Sequence, residues 1–137
     1  MPNKIIIDFE RMKYPNTGLY HFCNHLGNSL SRMKTDELLS FYVPGSFNGY
    51  FGKSVEYVEQ KSFHKFWMPH TNKYNIWHIA QQGTEYFPFR SKAKKVLTIH
   101  DINFMHDAGK SAIKKAKYLK GLGKKINCSD AVVEHLS

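Results

Sequence analysis

The chain has 137 residues, 42% of them hydrophobic and 15% aromatic, and a formal net charge of +9. That is enough apolar material for one domain with a real core, which excludes a disordered polypeptide. No apolar run approaches the ~18 residues a bilayer span needs, which excludes a membrane-spanning helix. The positive balance suits nucleic acid, anionic lipid or a phosphorylated substrate, and charge alone does not choose among them. Met1-Pro2-Asn3-Lys4 runs directly into a strand-like stretch, with no signal peptide. The two cysteines, Cys23 and Cys128, match neither a disulfide framework nor a zinc spacing. A reducing cytoplasm is expected, with both thiols as buried packing residues.

Lys4-Ile5-Ile6-Ile7-Asp8 reads as a buried first strand, because continuous Ile favours a central parallel position. Tyr14-Pro15-Asn16-Thr17-Gly18 is a turn, with Thr17 as a helix N-cap. Leu19, Phe22, Cys23, Leu26, Leu30 and Met33 then recur at helical spacing. A second strand covers Leu38 to Val43 and stops at Pro44-Gly45. Phe47 to Lys53 reads as an exposed loop whose aromatics either stack on a ligand or cover an edge of the core. Val55 to Glu59 is a weaker third strand near an edge, and Ser62 to Asn75 is irregular with room for a short helix. Asn75 to Ile79 is a fourth strand. A basic patch of Arg90, Lys92, Lys94 and Lys95 leads into a fifth, Val96 to Ile99. Ala112, Ile113, Ala116, Leu119 and Leu122 mark a late helix face with lysines mostly opposite, and Ala131-Val132-Val133 is a final strand. Strands alternating with helical stretches imply an α/β fold with a doubly wound, mostly parallel sheet. A chain stopping just after a strand is expected to be the first half of a longer protein.

In such a sheet, ligands sit beyond the carboxyl ends of the strands. Three polar strand ends then point the same way: the Asn16-Thr17-Gly18 turn, Gln81-Gln82, and His100-Asp101. The turn offers free backbone N–H groups at a helix start, where an anion can bind, although a plain strand-to-helix turn reads the same way. His100 suits a base or a hydrogen-bond partner for hydroxyls, and as a strand-end residue it is expected to contribute little packing. Asp101 would orient it, bind sugar hydroxyls, or cap the next segment of chain. His78 reads as a satisfied core histidine. His21 and His25 sit four apart on the first helix without an acidic third ligand, so no metal site is assigned. The lysine run of the late helix is either a solvated face or a contact with an anionic surface.

Asn75-Ile76-Trp77-His78, then Gln82, Tyr86 and Pro88, then Val96-Leu97-Thr98-Ile99-His100-Asp101-Ile102-Asn103-Phe104 resembles the amino-terminal domain of family-four retaining glycosyltransferases of the GT-B fold. Cys128-Ser129-Asp130-Ala131-Val132-Val133 through Ser137 resembles their next strand. The resemblance implies that residues 1–137 form a Rossmann-like acceptor-binding domain, with the nucleotide-sugar-binding domain outside this chain. It implies a UDP- or GDP-linked sugar donor, no divalent metal, and a saccharide or lipid-linked acceptor in polysaccharide or lipopolysaccharide synthesis. Location would be cytoplasmic, peripheral at an anionic inner membrane face. His100 falls on the family's active-site histidine, with Asp101 completing the His-Asp pattern. Asn16, Thr17, Gly18, Gln81, Gln82 and Asn103 would line the substrate. Many relatives read G-G-x-G-R at the turn, where this chain reads Asn16-Thr17-Gly18-Leu19-Tyr20, so direct phosphate contact there is not implied. A basic nucleic-acid module is the alternative. It needs lysines and aromatics on one face, whereas here they segregate to helices and loops, so no nucleic-acid partner is expected. A metal-dependent His-Asp phosphohydrolase needs a helix where Val96 to Ile99 is strand-like.

Overall fold

A computed structural model describes residues 2–100, 109 and 111–134. Six strands, β1 (Lys4–Asp8), β2 (Leu38–Val43), β3 (Glu56–Glu59), β4 (Ile76–Ile79), β5 (Lys94–Ile99) and β6 (Ala131–Glu134), form one sheet in the order β3-β2-β1-β4-β5-β6. Every neighbouring pair is parallel. Among the described residues, two α-helices, α1 (Gly18–Arg32) and α2 (Ala112–Asn127), lie in the β1–β2 and β5–β6 crossovers. This is the doubly wound, Rossmann-like α/β architecture the alternation predicts.

The run of isoleucines in β1 is explained by its place. β1 lies between β2 and β4, so both of its faces must be apolar. Ile6 points to one face, with Tyr42, Trp77, Ile79 and Leu97. Ile7 points to the other, with Leu39, Phe41, Val43 and Cys23 of α1. This is the two-residue period of a strand read on both sides. α1 lays Cys23 and Gly27 against the second cluster, and Leu26 and Leu30 pack beside them. The first face is covered differently. No α-helix connects β3 to β4 or β4 to β5; aromatic, Pro-bearing irregular segments do so, burying Tyr74, Tyr86, Phe87 and Ala93. α2 lies beyond them, with Lys124 over the Phe89 ring at 4.5 Å.

Of the two roles open to the Phe47–Lys53 aromatics, Phe51 takes the core-covering one, its ring packed against Phe9 and Phe41 and set against Gly27 of α1. Two expectations need correction. Lys95 is not a surface member of the basic patch. It turns inward and donates from Nζ to the carbonyls of Ser91 and Ala93. Cys128 is exposed, since it follows α2, a helix with no buried residue, whose Ile113, Leu119 and Ile126 all remain accessible. Among the described residues, no helix is long and apolar enough to cross a membrane.

Candidate functional site at the carboxyl edge

The strand order reverses between β1 and β4, and the crevice of such a sheet opens at the carboxyl ends of that pair. Gln81, Gln82 and His100 all lie on this edge. In the β4–β5 register Ile79 faces Leu97, so three residues on Gln82 faces His100. The backbones have parted by then, and the Gln82 side chain replaces the missing peptide group. Its Oε1 accepts from the His100 N–H at 2.9 Å, and its Nε2 donates to the His100 carbonyl at 3.1 Å. Nε2 also reaches the Tyr118 hydroxyl of α2 at 3.2 Å, and the Gln82 carbonyl accepts from Lys125 Nζ at 2.7 Å. One glutamine thus joins β4, β5 and α2.

His100 is oriented by more than this clamp. Its Nε2 lies 2.6 Å from the Ala80 carbonyl, which can only accept, so Nε2 donates a proton to it. Its ring stands edge-on to Phe22 of α1, with centroids 4.6 Å apart. The expectation of little packing is therefore corrected: the histidine is wedged between β4 and the second turn of α1. Phe22 stands four residues after Gly18, on the same side of the helix, so the start of α1 lies one turn from His100. His78 donates to or accepts from Thr98 Oγ1 at 2.7 Å, and burial, with the neighbouring His100 adding to it, lowers its pKa.

Thr17 caps α1 as predicted, accepting from Tyr20 N at 3.1 Å and donating to the Tyr14 carbonyl at 2.8 Å. Asn16 takes the left-handed conformation, φ 66°, that lets the chain turn into the helix. Gly18 has open space where a Cβ would stand and no positive φ, so nothing in the fold itself requires glycine there. Gln81 is buried; its Oε1 accepts from Gly83 N at 2.7 Å, and its Nε2 has no hydrogen-bond partner among the described residues. Asp101 and Asn103 lie outside the described residues.

Sequence reading missed the polar end of β1 itself. Asp8 is buried and accepts from Glu10 N at 2.9 Å and from Thr84 Oγ1 at 3.3 Å, tying the two sides of the crevice together. Burial, with the nearby Glu10 adding to it, pushes its pKa up to about 7. Glu10 is held by Lys13 at 2.5 Å and lies 3.5 Å from Arg11 Nε, and Arg11 Nη2 donates to the Gly83 carbonyl at 2.9 Å. Consecutive carbonyls of the post-β4 loop are thus each held by a cation, Lys125 at Gln82 and Arg11 at Gly83. The signal was available: charged residues directly after an apolar strand are the pattern that singled out His100.

A groove of about 450 Å3 opens here between the post-β4 loop and α2, lined by Gln82, Glu85, Lys114, Lys117, Tyr118 and Lys125. Burial in its wall lowers the pKa of Lys125, and Arg11 adds to the effect. A cleft of similar size, about 510 Å3, lies at the opposite edge between the end of α1 and the start of β2, where none of the candidate residues stands. No protein-family model, curated protein or solved structure matches this chain.

Proposed function

We propose that the chain is the acceptor-binding domain of a retaining glycosyltransferase that moves a sugar from a UDP- or GDP-linked donor to a growing polysaccharide or lipid-linked acceptor. The observation that carries this is the oriented His100 at the carboxyl end of β5, clamped by Gln82 and one helical turn from the start of α1. In this role the His100 imidazole is the group at the strand end that would position a hydroxyl at the reacting centre. The first turn of α1 carries no acidic residue to repel the donor's leaving diphosphate, and with Tyr20 N taken by the Thr17 cap the N–H groups of Gly18 and Leu19 would be the ones to face it. The lysine-lined groove supports an acceptor carried on a phosphate or diphosphate, and the basic, apolar-tipped α2 supports contact with an anionic membrane surface.

The family keeps its donor motif in a second domain, so the assay belongs to the full-length protein. It should release UDP or GDP from a sugar nucleotide in an acceptor-dependent manner. His100→Ala should lower that rate by roughly 10²–10⁴-fold, while a fold check by circular dichroism stays native. Near wild-type turnover in a folded His100→Ala protein would remove the assignment. This chain alone should bind nucleotide-sugar weakly or not at all.

A further inference from the structure

Away from the carboxyl-edge site, the chain exposes a cluster of large aromatics that its core does not use. Phe66 is 89% exposed and Trp67 62%, and Phe63 and Phe89 are also open to solvent. The Phe63 and Trp67 rings are nearly parallel, 19° apart with centroids separated by 6.3 Å. Single exposed apolar residues are ordinary, but a contiguous set of rings marks a contact surface. Phe66, Trp67 and Phe89 wall a cleft of about 170 Å3 between residues 64–71 and 87–90, with Phe63 beside Trp67. Its floor is rigid: Phe87 belongs to the core, and Met68 packs against it. Its walls are tied by the hydrogen bond from Ser91 Oγ to the Thr71 carbonyl.

The polar groups of the cleft are set with equal care. His64 Nδ1 accepts from Lys61 N at 3.2 Å, so it bears no proton, and the Tyr42 hydroxyl at 2.8 Å must donate to it as well. The ring's proton is therefore on Nε2, which has no partner among the described residues. Tyr42 is a buried residue of β2, so the sheet itself fixes this donor. The charged side chains lining the cleft are Lys65 and Arg90, and among the described residues no carboxylate lines it. Lys65 is engaged by Glu85 at 2.7 Å, and Arg90 is the cation left to the mouth.

We propose that this cleft binds an acidic saccharide: the rings take the apolar face of a sugar, His64 donates from Nε2 to a hydroxyl, and Arg90 meets a carboxylate. Apolar walls with a few fixed polar groups are the usual composition of a small-ligand site. A nucleic-acid strand would require a track of cations beside successive stacking rings; here one guanidinium and one small cleft suit a single ring at a time. That this saccharide is the chain being extended rests on the glycosyltransferase reading, whereas the binding does not.

Trp77 is 1% exposed, so iodide quenching of tryptophan fluorescence reports Trp67 alone. A short oligogalacturonate should protect Trp67 from iodide, a neutral maltooligosaccharide should protect it less, and oligodeoxythymidylate should not. Trp67→Ala, read by calorimetry, should weaken oligogalacturonate binding roughly ten- to a hundredfold, the loss expected for one stacking ring. Arg90→Gln should erase the preference for the acidic sugar. Both side chains are exposed, so far-ultraviolet dichroism and the thermal midpoint should show a native fold. Protection by oligodeoxythymidylate, by both sugars equally, or by neither would overturn the proposal. His100→Ala should leave this binding unchanged: binding without transfer would sink the glycosyltransferase reading alone, and transfer without binding would sink this site alone.

Discussion

The carboxamide of Gln82 bonds both backbone groups of His100, closing the β4–β5 ladder one residue beyond the end of β5 and three beyond the end of β4. Gln82→Leu leaves the His100 N–H and carbonyl without those partners in a part-buried place. It should cost about 1–3 kcal/mol in urea unfolding and should speed amide exchange at His100 more than at Ile79. Gln82→Glu keeps the acceptor for His100 N–H but sets a carboxylate against the His100 carbonyl. It should be milder at low pH than at neutral pH. Equal loss at both would show that the side chain's shape, not its hydrogen bonds, is what His100 needs.

Asp8 gives the fold a pH dependence of definite sign. Its folded pKa is raised from 3.8 to about 7, so the folded state favours the protonated acid. Folded chains then bind more protons than unfolded ones between about pH 4 and pH 7, and stability falls as pH rises through that window. Asp8→Asn retains an acceptor for Glu10 N and a partner for Thr84. It should flatten that slope and raise stability at pH 8 by about 2–4 kcal/mol. Unfolding curves at pH 5 and pH 8 check this; a variant that is less stable at pH 8 would mean the carboxylate is held charged.

Two glycines of α1 should respond to alanine in opposite ways. At Gly27 an added Cβ would meet the Phe51 ring at 2.4 Å, and that ring is wedged in the core. Gly27→Ala should destabilise by about 1–3 kcal/mol, against a helix-propensity gain of at most about 1 kcal/mol. At Gly18 the space is open, so Gly18→Ala should be neutral or stabilising by about 0.4–1 kcal/mol. If a diphosphate approaches this turn, the same variant should raise the KM for the sugar nucleotide.

The cysteines should separate by reactivity. Cys128 is exposed, whereas Cys23 is buried on α1, and burial pushes its thiol pKa well up. A chromogenic disulfide reagent should titrate one thiol in the native protein and the second only on unfolding. Two fast thiols would mean α1 detaches readily from the sheet.

The central strands were legible because they are short apolar runs covered on both faces, as Ile6 and Ile7 of β1 illustrate. The Thr17 cap was legible because its partner lies three residues away. The Gln82–His100 clamp was not, since it joins residues 18 apart and depends on the β4–β5 register. Nor was the fate of residues 62–75 and 84–93. Their aromatics have no period, so nothing local separates Tyr74 and Tyr86, which are buried, from Phe66, which is not. The charged residues after β1 were visible as a pattern, but the partners of Asp8 and Arg11, Thr84 and the Gly83 carbonyl, stand more than seventy positions away and were not.

That separation bears on how the molecule assembles. The β1–β4 seam joins residues as distant as Lys4 and Asn75, 71 positions apart, whereas the Gln82–His100 bridge spans 18. Closing the longer loop costs about 1 kcal/mol more chain entropy. The Asp8–Thr84 and Arg11–Gly83 bonds cross this same seam. The crevice is therefore built by the step that joins the two halves of the sheet. A chain that has formed β1-α1-β2 on one side and β4–β5 on the other would carry most of its secondary structure and no crevice at all.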